Sequence, residues 1–377
     1  MKTALISKLL STLALVGAAF APVGAARADS SLESEFDRAF VASAPVPAST
    51  PRPAGQPGAK AQPLVQPTTK APVRVRTTPA TVRPFVSYGQ PRSYSSNLEA
   101  QLYSAADSSN GRIGVAVIDL TTGRSASVLG DTPFPMASTS KIAIAATFLD
   151  GVDKGRWSLD DRFPLMIPVK SAKYSSDKAP VRAGQMMSGR ELIELALIHS
   201  SNSATDALLA AVGGPAAVNR WIRNAGIDGM RIDRDIATLV RDDGEFDPAR
   251  MVDLRDSSTP MAMGQLLTGL FQGRWLSPRS RAFLLSTMER CETGKRRMRA
   301  LLPGDVRVAH KTGTLSNTAS DVGIIQAPDG HAYAVAIYVT GQGGKSGRDA
   351  RIAAIARTVY YGTESHQGGS VQVYANR

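Results

Sequence analysis

Between Asn97 and Gly362 the chain reads as strands, then a long run of helices, then strands again, and no other feature constrains the fold as much. The apolar run Gly114 to Leu120, the turn Thr121-Thr122-Gly123-Arg124 and the run Ser125 to Leu129 form a hairpin. Helical periodicity then takes over at Ile142, Ala145, Ala146 and Leu149. A second helix opens at the capping box Ser188-Gly189-Arg190-Glu191 and buries Leu192, Leu195, Ala196 and either Leu197 or His199. Strand character returns at Val306 to His310, Val322 to Ile325 and Ala332 to Val339, with Pro328-Asp329-Gly330 as a turn. The last helix carries Ile352, Ile355, Ala356 and Val359 on one face. Strands from both ends can share one sheet if the helical middle is looped out beside it. The sequence therefore predicts an α/β chain of the α+β kind: one antiparallel sheet built from both termini, flanked by helices, with an all-helical insertion subdomain.

The rest of the chain has a different texture. Lys2 and Lys8, the apolar run Leu9 to Phe20 and Ala26-Arg27-Ala28 before Asp29 make residues 1–28 a signal peptide, cleaved after Ala28. Its apolar run is too short for a transmembrane anchor, so the expected location is periplasmic or secreted. Residues 45–92 hold eleven of the 23 prolines and no acidic residue. Such a stretch buries too little apolar surface to offset its ordering entropy, and residues 29–96 read as a Pro-rich disordered linker. It is a spacer or, being basic, a tether toward an anionic envelope surface. Residues 363–377 read as a polar tail.

Charge and cysteine content narrow the function. The net charge of +12 is spread out: three cations lie in the signal, and 29–95 holds eight Lys or Arg against four Asp or Glu. The remaining surplus is mild and has no aromatic residues interleaved, which excludes nucleic acid as a partner. Cys291 is the one cysteine, so no intramolecular disulfide forms. The four histidines lack metal-ligand spacing, and neither a metal nor another cofactor is expected. His199 and His310 adjoin the motifs below, but no Asp pattern accompanies them.

Three short motifs follow in order: Ser138-Thr139-Ser140-Lys141, Ser200-Ser201-Asn202 and Lys311-Thr312-Gly313. Copies exist at Ser175 to Lys178, Ser95 to Asn97, Ser108 to Asn110 and Lys345 to Gly347, so order and setting must choose. Ser138 follows Phe134-Pro135-Met136-Ala137 at the start of an unbroken helical run, and a three-residue step puts Lys141 on its face. A lysine held neutral by burial and a second cation can take a serine proton. A free backbone N–H at a helix start can stabilise an oxyanion. Ser200 and Asn202 end one apolar helix and begin another. Lys311 to Thr314 end a strand, whose edge can pair with an extended substrate that Gly313 has no side chain to block. The copy at Ser175 lies in a polar loop and that at Lys345 in a glycine-rich one.

This series, S-x-x-K, S-x-N and K-T-G, resembles the penicillin-recognising serine hydrolases, and its surroundings resemble class A β-lactamases. The resemblance covers roughly 97–362 and implies a five-stranded antiparallel sheet. It implies Ser138 as nucleophile, Lys141 as base and Ser200 as proton relay to the leaving amine. Asn202 would bind the substrate amide and the lysine, and Lys311 and Thr312, beside Gly313, a carboxylate. The Thr314 N–H would complete an oxyanion hole with that of Ser138. Ser201 stands where the family usually has aspartate. The family's deacylating glutamate, in an E-x-x-L-N frame, is missing: aligned on Asp233-Arg234 and Leu239, its positions read Ile236 and Val240. Asp235 is one residue off, Asp242, Asp243 and Glu245 follow in an apparent insertion, and Asp256-Ser257-Ser258-Thr259-Pro260 matches D-x-x-T-P. The expected activity is β-lactam opening through a Ser138 acyl-enzyme. The alternatives are a penicillin-binding or peptidoglycan-processing protein with weak turnover, and a non-catalytic envelope interaction module.

Overall fold

The computed structural model describes residues 81–86, 93–107 and 110–364. The expected signal, most of the 29–96 arm and the tail beyond 364 lie outside the described residues. Along the chain the strands are β1 (Val82–Pro84), β2 (Gly111–Asp119), β3 (Ser125–Val128), β4 (Phe134–Pro135), β5 (Arg162–Pro168), β6 (Val181–Ser188), β7 (Met230–Arg231), β8 (Met251–Asp253), β9 (Ser257–Ser258), β10 (Arg307–Leu315), β11 (Thr318–Gln326) and β12 (Ala332–Gly341).

The strands β10-β11-β12-β2-β3 make one antiparallel five-stranded sheet from both ends of the domain. Its middle strands are apolar without alternation because helices cover both faces. On β12, Tyr333, Val335, Ile337 and Val339 face a cluster with Leu98, Leu102, Ile352, Ile355 and Val359. Ala334, Ala336 and Tyr338 face the opposite cluster, which includes Ile142, Met263, Leu266 and the apolar side of the helical block. Ser188 caps the helix Gly189–Ile198 through the complete capping box with Glu191. The predicted α+β architecture is the observed one.

Three local expectations need correction. The K-T-G segment does not end its strand: β10 continues to Leu315 and returns through the two-residue turn Ser316-Asn317, with Asn317 at φ 50°. Lys345-Ser346-Gly347 is not a loop but the first turn of the helix Lys345–Glu364. The arm is not structureless to residue 96. β1 pairs antiparallel with β8, and the Phe85 N–H donates to Arg250 O at 2.7 Å. Pro84 is tolerated because its ring nitrogen faces away from the partner strand.

Arg112 fastens that corner. Its buried guanidinium donates to Pro248 O (2.9 Å), Pro133 O (3.0 Å) and Met251 O (3.2 Å). It lies 5.1 Å from the Phe85 ring centroid and 4.5 Å from that of Phe134. Burial lowers its pKa to about 10.

Candidate active site

Ser138 lies in a 3-10 turn, Ala137–Ser140, that runs into the helix Lys141–Asp153. At three residues per turn Ser138 and Lys141 eclipse. Ala137 has φ 49°, a left-handed conformation that costs a non-glycine residue energy. The turn holds it with bonds from Thr139 Oγ1 to Met136 O (2.7 Å), Ser140 Oγ to Ala137 O (2.9 Å) and Met136 N to Asp256 O (3.0 Å). Ser138 is 6% exposed and Lys141 1%.

The second motif divides its labour. Ser201 is the N-cap of the helix Asn202–Val212, its side chain accepting from the Ala204 N–H. That frees its neighbours to face the lysines. Lys141 Nζ donates to Ser200 O, to Ser200 Oγ at 3.1 Å and to Asn202 Oδ1 at 2.8 Å. Lys311 Nζ donates to the same Ser200 Oγ at 2.8 Å and to Thr312 O at 3.0 Å. Ser200 is fully buried with φ 63°. Five of the expected residues, Lys141, Ser200, Asn202, Lys311 and Thr312, thus form one connected polar cluster.

Strand β10 is the sheet edge beside it. A two-residue turn makes Leu315 and Thr318 the closing hydrogen-bonded pair. Leu315, Gly313 and Lys311 therefore spend their backbone groups on β11, while Thr312 and Thr314 turn theirs to the open edge. A Cβ on Gly313 would stand 2.5 Å from Ser320 Oγ, 2.6 Å from Met136 O and 3.0 Å from Ala137 Cβ. The glycine lets β10 approach the Ser138 turn, a packing reason rather than the expected clearance for a substrate.

Sequence reasoning missed three partners. Thr293 Oγ1 and Thr312 Oγ1 share a 2.5 Å hydrogen bond. Arg297, buried, donates to Gly313 O (2.9 Å), Ser320 O (3.1 Å), Thr314 Oγ1 (2.8 Å) and Asp349 Oδ1 (2.6 Å). It adds a third cation behind β10. Asp206, buried, accepts the N–H groups of Ile236 (2.7 Å) and Ala237 (2.9 Å). Burial pushes its carboxyl up to about 7 and the Asp235 charge adds to this, against the two N–H donors and Lys141.

The Asp206 bonds fasten the loop that the missing glutamate would occupy. Arg234 and Asp256 pair across its neck at 2.6 Å. Ile236, 3% exposed, opens the short helix Ile236–Arg241, and Asp235 caps it by accepting the Thr238 N–H. The remaining acids are engaged as well. Asp242 pairs with Arg241 and accepts from the Tyr174 N–H, Asp243 accepts from the Ser316 N–H, and Glu245 pairs with Arg255. None stands at the glutamate's aligned position, which Ile236 fills. Burial raises the Asp243 pKa.

The motif copies have other duties. Ser96 caps the helix Asn97–Ala105, and Ser175 to Lys178 lie in the loop between β5 and β6. His310, expected to lack an acidic partner, has one: its Nδ1 lies 2.7 Å from Asp321 Oδ1, both fully buried.

Comparison with known proteins gives the same picture. A family model described as the β-lactamase enzyme family matches residues 97–362. β-Lactamase CTX-M-97 of Escherichia coli is 33% identical over 270 residues, which is 71% of this chain and 89% of that protein. Among solved structures, the last common ancestor of Gram-negative bacteria class A β-lactamase is 38% identical with a TM-score of 0.61, covering 71% of this chain and all of that one. A β-lactamase from Chitinophaga pinensis is 30% identical with a TM-score of 0.62 and covers the same shares. On its sheet, its motifs and these relatives, the chain belongs to the class A β-lactamase family.

Proposed function

We propose that the protein is an exported serine hydrolase that opens the β-lactam ring through a Ser138 acyl-enzyme. The observation that carries this reading is the convergence of two buried ammonium groups, Lys141 and Lys311, on Ser200 Oγ. Two like charges on one hydroxyl repel, and loss of a proton from Lys141 relieves the repulsion and leaves an amine able to deprotonate Ser138. Ser200 then bridges the two lysines and can pass a proton toward the departing nitrogen. The substrate carboxylate sits against Lys311, Thr312 and Thr293. The acyl oxygen lies between the N–H groups of Ser138 and Thr314, and Asn202 takes the acyl amide. Lys2 to Ala28 export the chain, and the basic arm associates with the envelope.

The experiment is labelling with a reporter penicillin. Wild type should acquire one label per chain and Ser138→Ala none; label on the variant at the wild-type rate would sink the assignment.

A second reading rests on Ile236. With an apolar residue in the glutamate position and the nearby carboxylates engaged, general-base help worth roughly 10²–10⁴-fold is missing from deacylation. The acyl-enzyme then accumulates, as in a penicillin-binding protein acting on peptidoglycan-like substrates. Nitrocefin kinetics separate the two: sustained turnover means a β-lactamase, and a stoichiometric burst with negligible steady state means a slow-releasing acyl-enzyme.

A further inference from the structure

Three alternate residues, Thr312 and Thr314 on β10 and Ser316 in the turn that follows, face its open edge. The third is occupied: both carboxylate oxygens of Asp243 accept its N–H, at 2.8 and 3.1 Å. Asp243 belongs to the segment between Val240 and Asp256. This segment bridges the end of β10 and the loop between β5 and β6. On its far side Lys173 Nζ donates to Asp243 O, and the Tyr174 hydroxyl donates to Asp242 O at 3.1 Å. Between the two rims, a Cβ on Gly244 would stand 3.5 Å from Ser316 Oγ and 3.9 Å from Lys173 Nζ.

A substrate anchored by its carboxylate at Lys311 and Thr312, with its carbonyl at the Thr314 N–H, runs along β10 toward Ser316. At about 3.3 Å per residue the next outward position lies about 7 Å beyond Thr314, where the acyl substituent arrives. The group waiting there is the Asp243 carboxylate. We infer that Asp243 is a specificity-determining residue at the acyl end of the site, selecting against substrates whose acyl substituent carries a negative charge. The inference rests on the acylation reading above. Lys173 and Arg234 temper the local field, and both remain when Asp243 alone is changed. A like unit charge brought beside that carboxylate, partly screened by water and these two cations, is worth about five- to tenfold in rate.

The test compares acylation of Ser138 in the full mature chain by benzylpenicillin and by α-carboxybenzylpenicillin, which differ by one carboxylate on the acyl α-carbon. Near pH 8, where carboxylates are ionised, wild type should favour the benzyl compound. Asp243→Asn keeps an acceptor for the Ser316 N–H and should raise the relative rate of the carboxybenzyl compound about five- to tenfold. A rate ratio equal in both proteins overturns the assignment. If the variant's loop detaches and both rates collapse, wild type decides alone. Raising salt from about 0.02 to 0.5 M should move its ratio toward unity, and a ratio indifferent to salt overturns the assignment. Failure of either penicillin to label wild type would sink the acylation reading itself, an outcome distinct from equal ratios.

Discussion

Lys141 and Lys311 donate to one acceptor, Ser200 Oγ, from 3.1 and 2.8 Å. The first stands at the start of a helix and the second inside an edge strand, so the shared hydroxyl joins the helical block to the sheet. Burying two ammonium groups this close works against folding, and the arrangement makes sense as chemistry rather than as a staple.

Lys311→Ala should therefore lower acylation by roughly 10²-fold or more, because it removes both the carboxylate anchor and the second cation beside Lys141. Because the base Lys141 must be unprotonated to act, the acidic, ascending limb of the pH–rate profile should move to higher pH. Lys345→Ala, in the other K-[ST]-G at the start of the last helix, should change the rate by less than about threefold. Stopped-flow acylation of the two variants distinguishes them, and equal losses would mean that the wrong tripeptide was chosen.

Asp206 gives a pH signature. Its folded pKa, near 7, lies above the unfolded value of about 3.9. The folded state thus binds the extra proton. Its contribution to stability is fully present below about pH 4 and is lost as pH rises through about 7. Asp206→Asn removes this dependence at the cost of one N–H acceptor. Thermal melts should show the variant at its greatest disadvantage at pH 5 and gaining on wild type by pH 8; a constant difference would contradict this.

Arg297→Ala should cost about 3–5 kcal/mol, because Asp349 is left buried with its charge uncompensated. Arg297→Lys keeps the charge but cannot reach Gly313 O, Ser320 O and Thr314 Oγ1 together, and should lose about half as much. Urea unfolding measures both. Acylation should fall in the lysine variant as well, since Thr314 loses its side-chain tether.

Arg112→Met should release the arm and the loop together. Three carbonyls, Pro133 O, Pro248 O and Met251 O, lose their donor, at about 1–3 kcal/mol for each one left dry. Limited proteolysis is the sensitive readout: cleavage should appear first between Asp243 and Asp253 in the variant and not in wild type.

Legibility in the sequence followed the range of the interaction. The hairpin from Gly114, the Ser188 capping box and the Ser138–Lys141 step rest on neighbours three or four residues apart, and all appear as read. The link from Lys141 to Ser200 and Lys311 came from motif order and not from physics that the sequence displays. Arg297 gave no signal, standing among Lys295, Arg296 and Arg299 with nothing to mark the one that turns inward. Asp206 looked like a helix residue because its partners, Ile236 and Ala237, are thirty positions away. Prolines hid β1, since composition reports average tendency and cannot show that one short edge strand finds a partner. The end of β10 was misplaced because Ser316-Asn317 carries no glycine to announce a turn.

The pairing of β1 with β8 also joins distant parts of the chain. Val82 and Asp253 lie about 170 residues apart, and so long a loop must be closed before the pairing returns anything. The pairing spans only three residues on each strand and stands apart from the five-stranded sheet. The segment carrying Asp243 is thus held at its far end by a short clasp, and loss of that clasp would free the segment without breaking the sheet that carries Lys311.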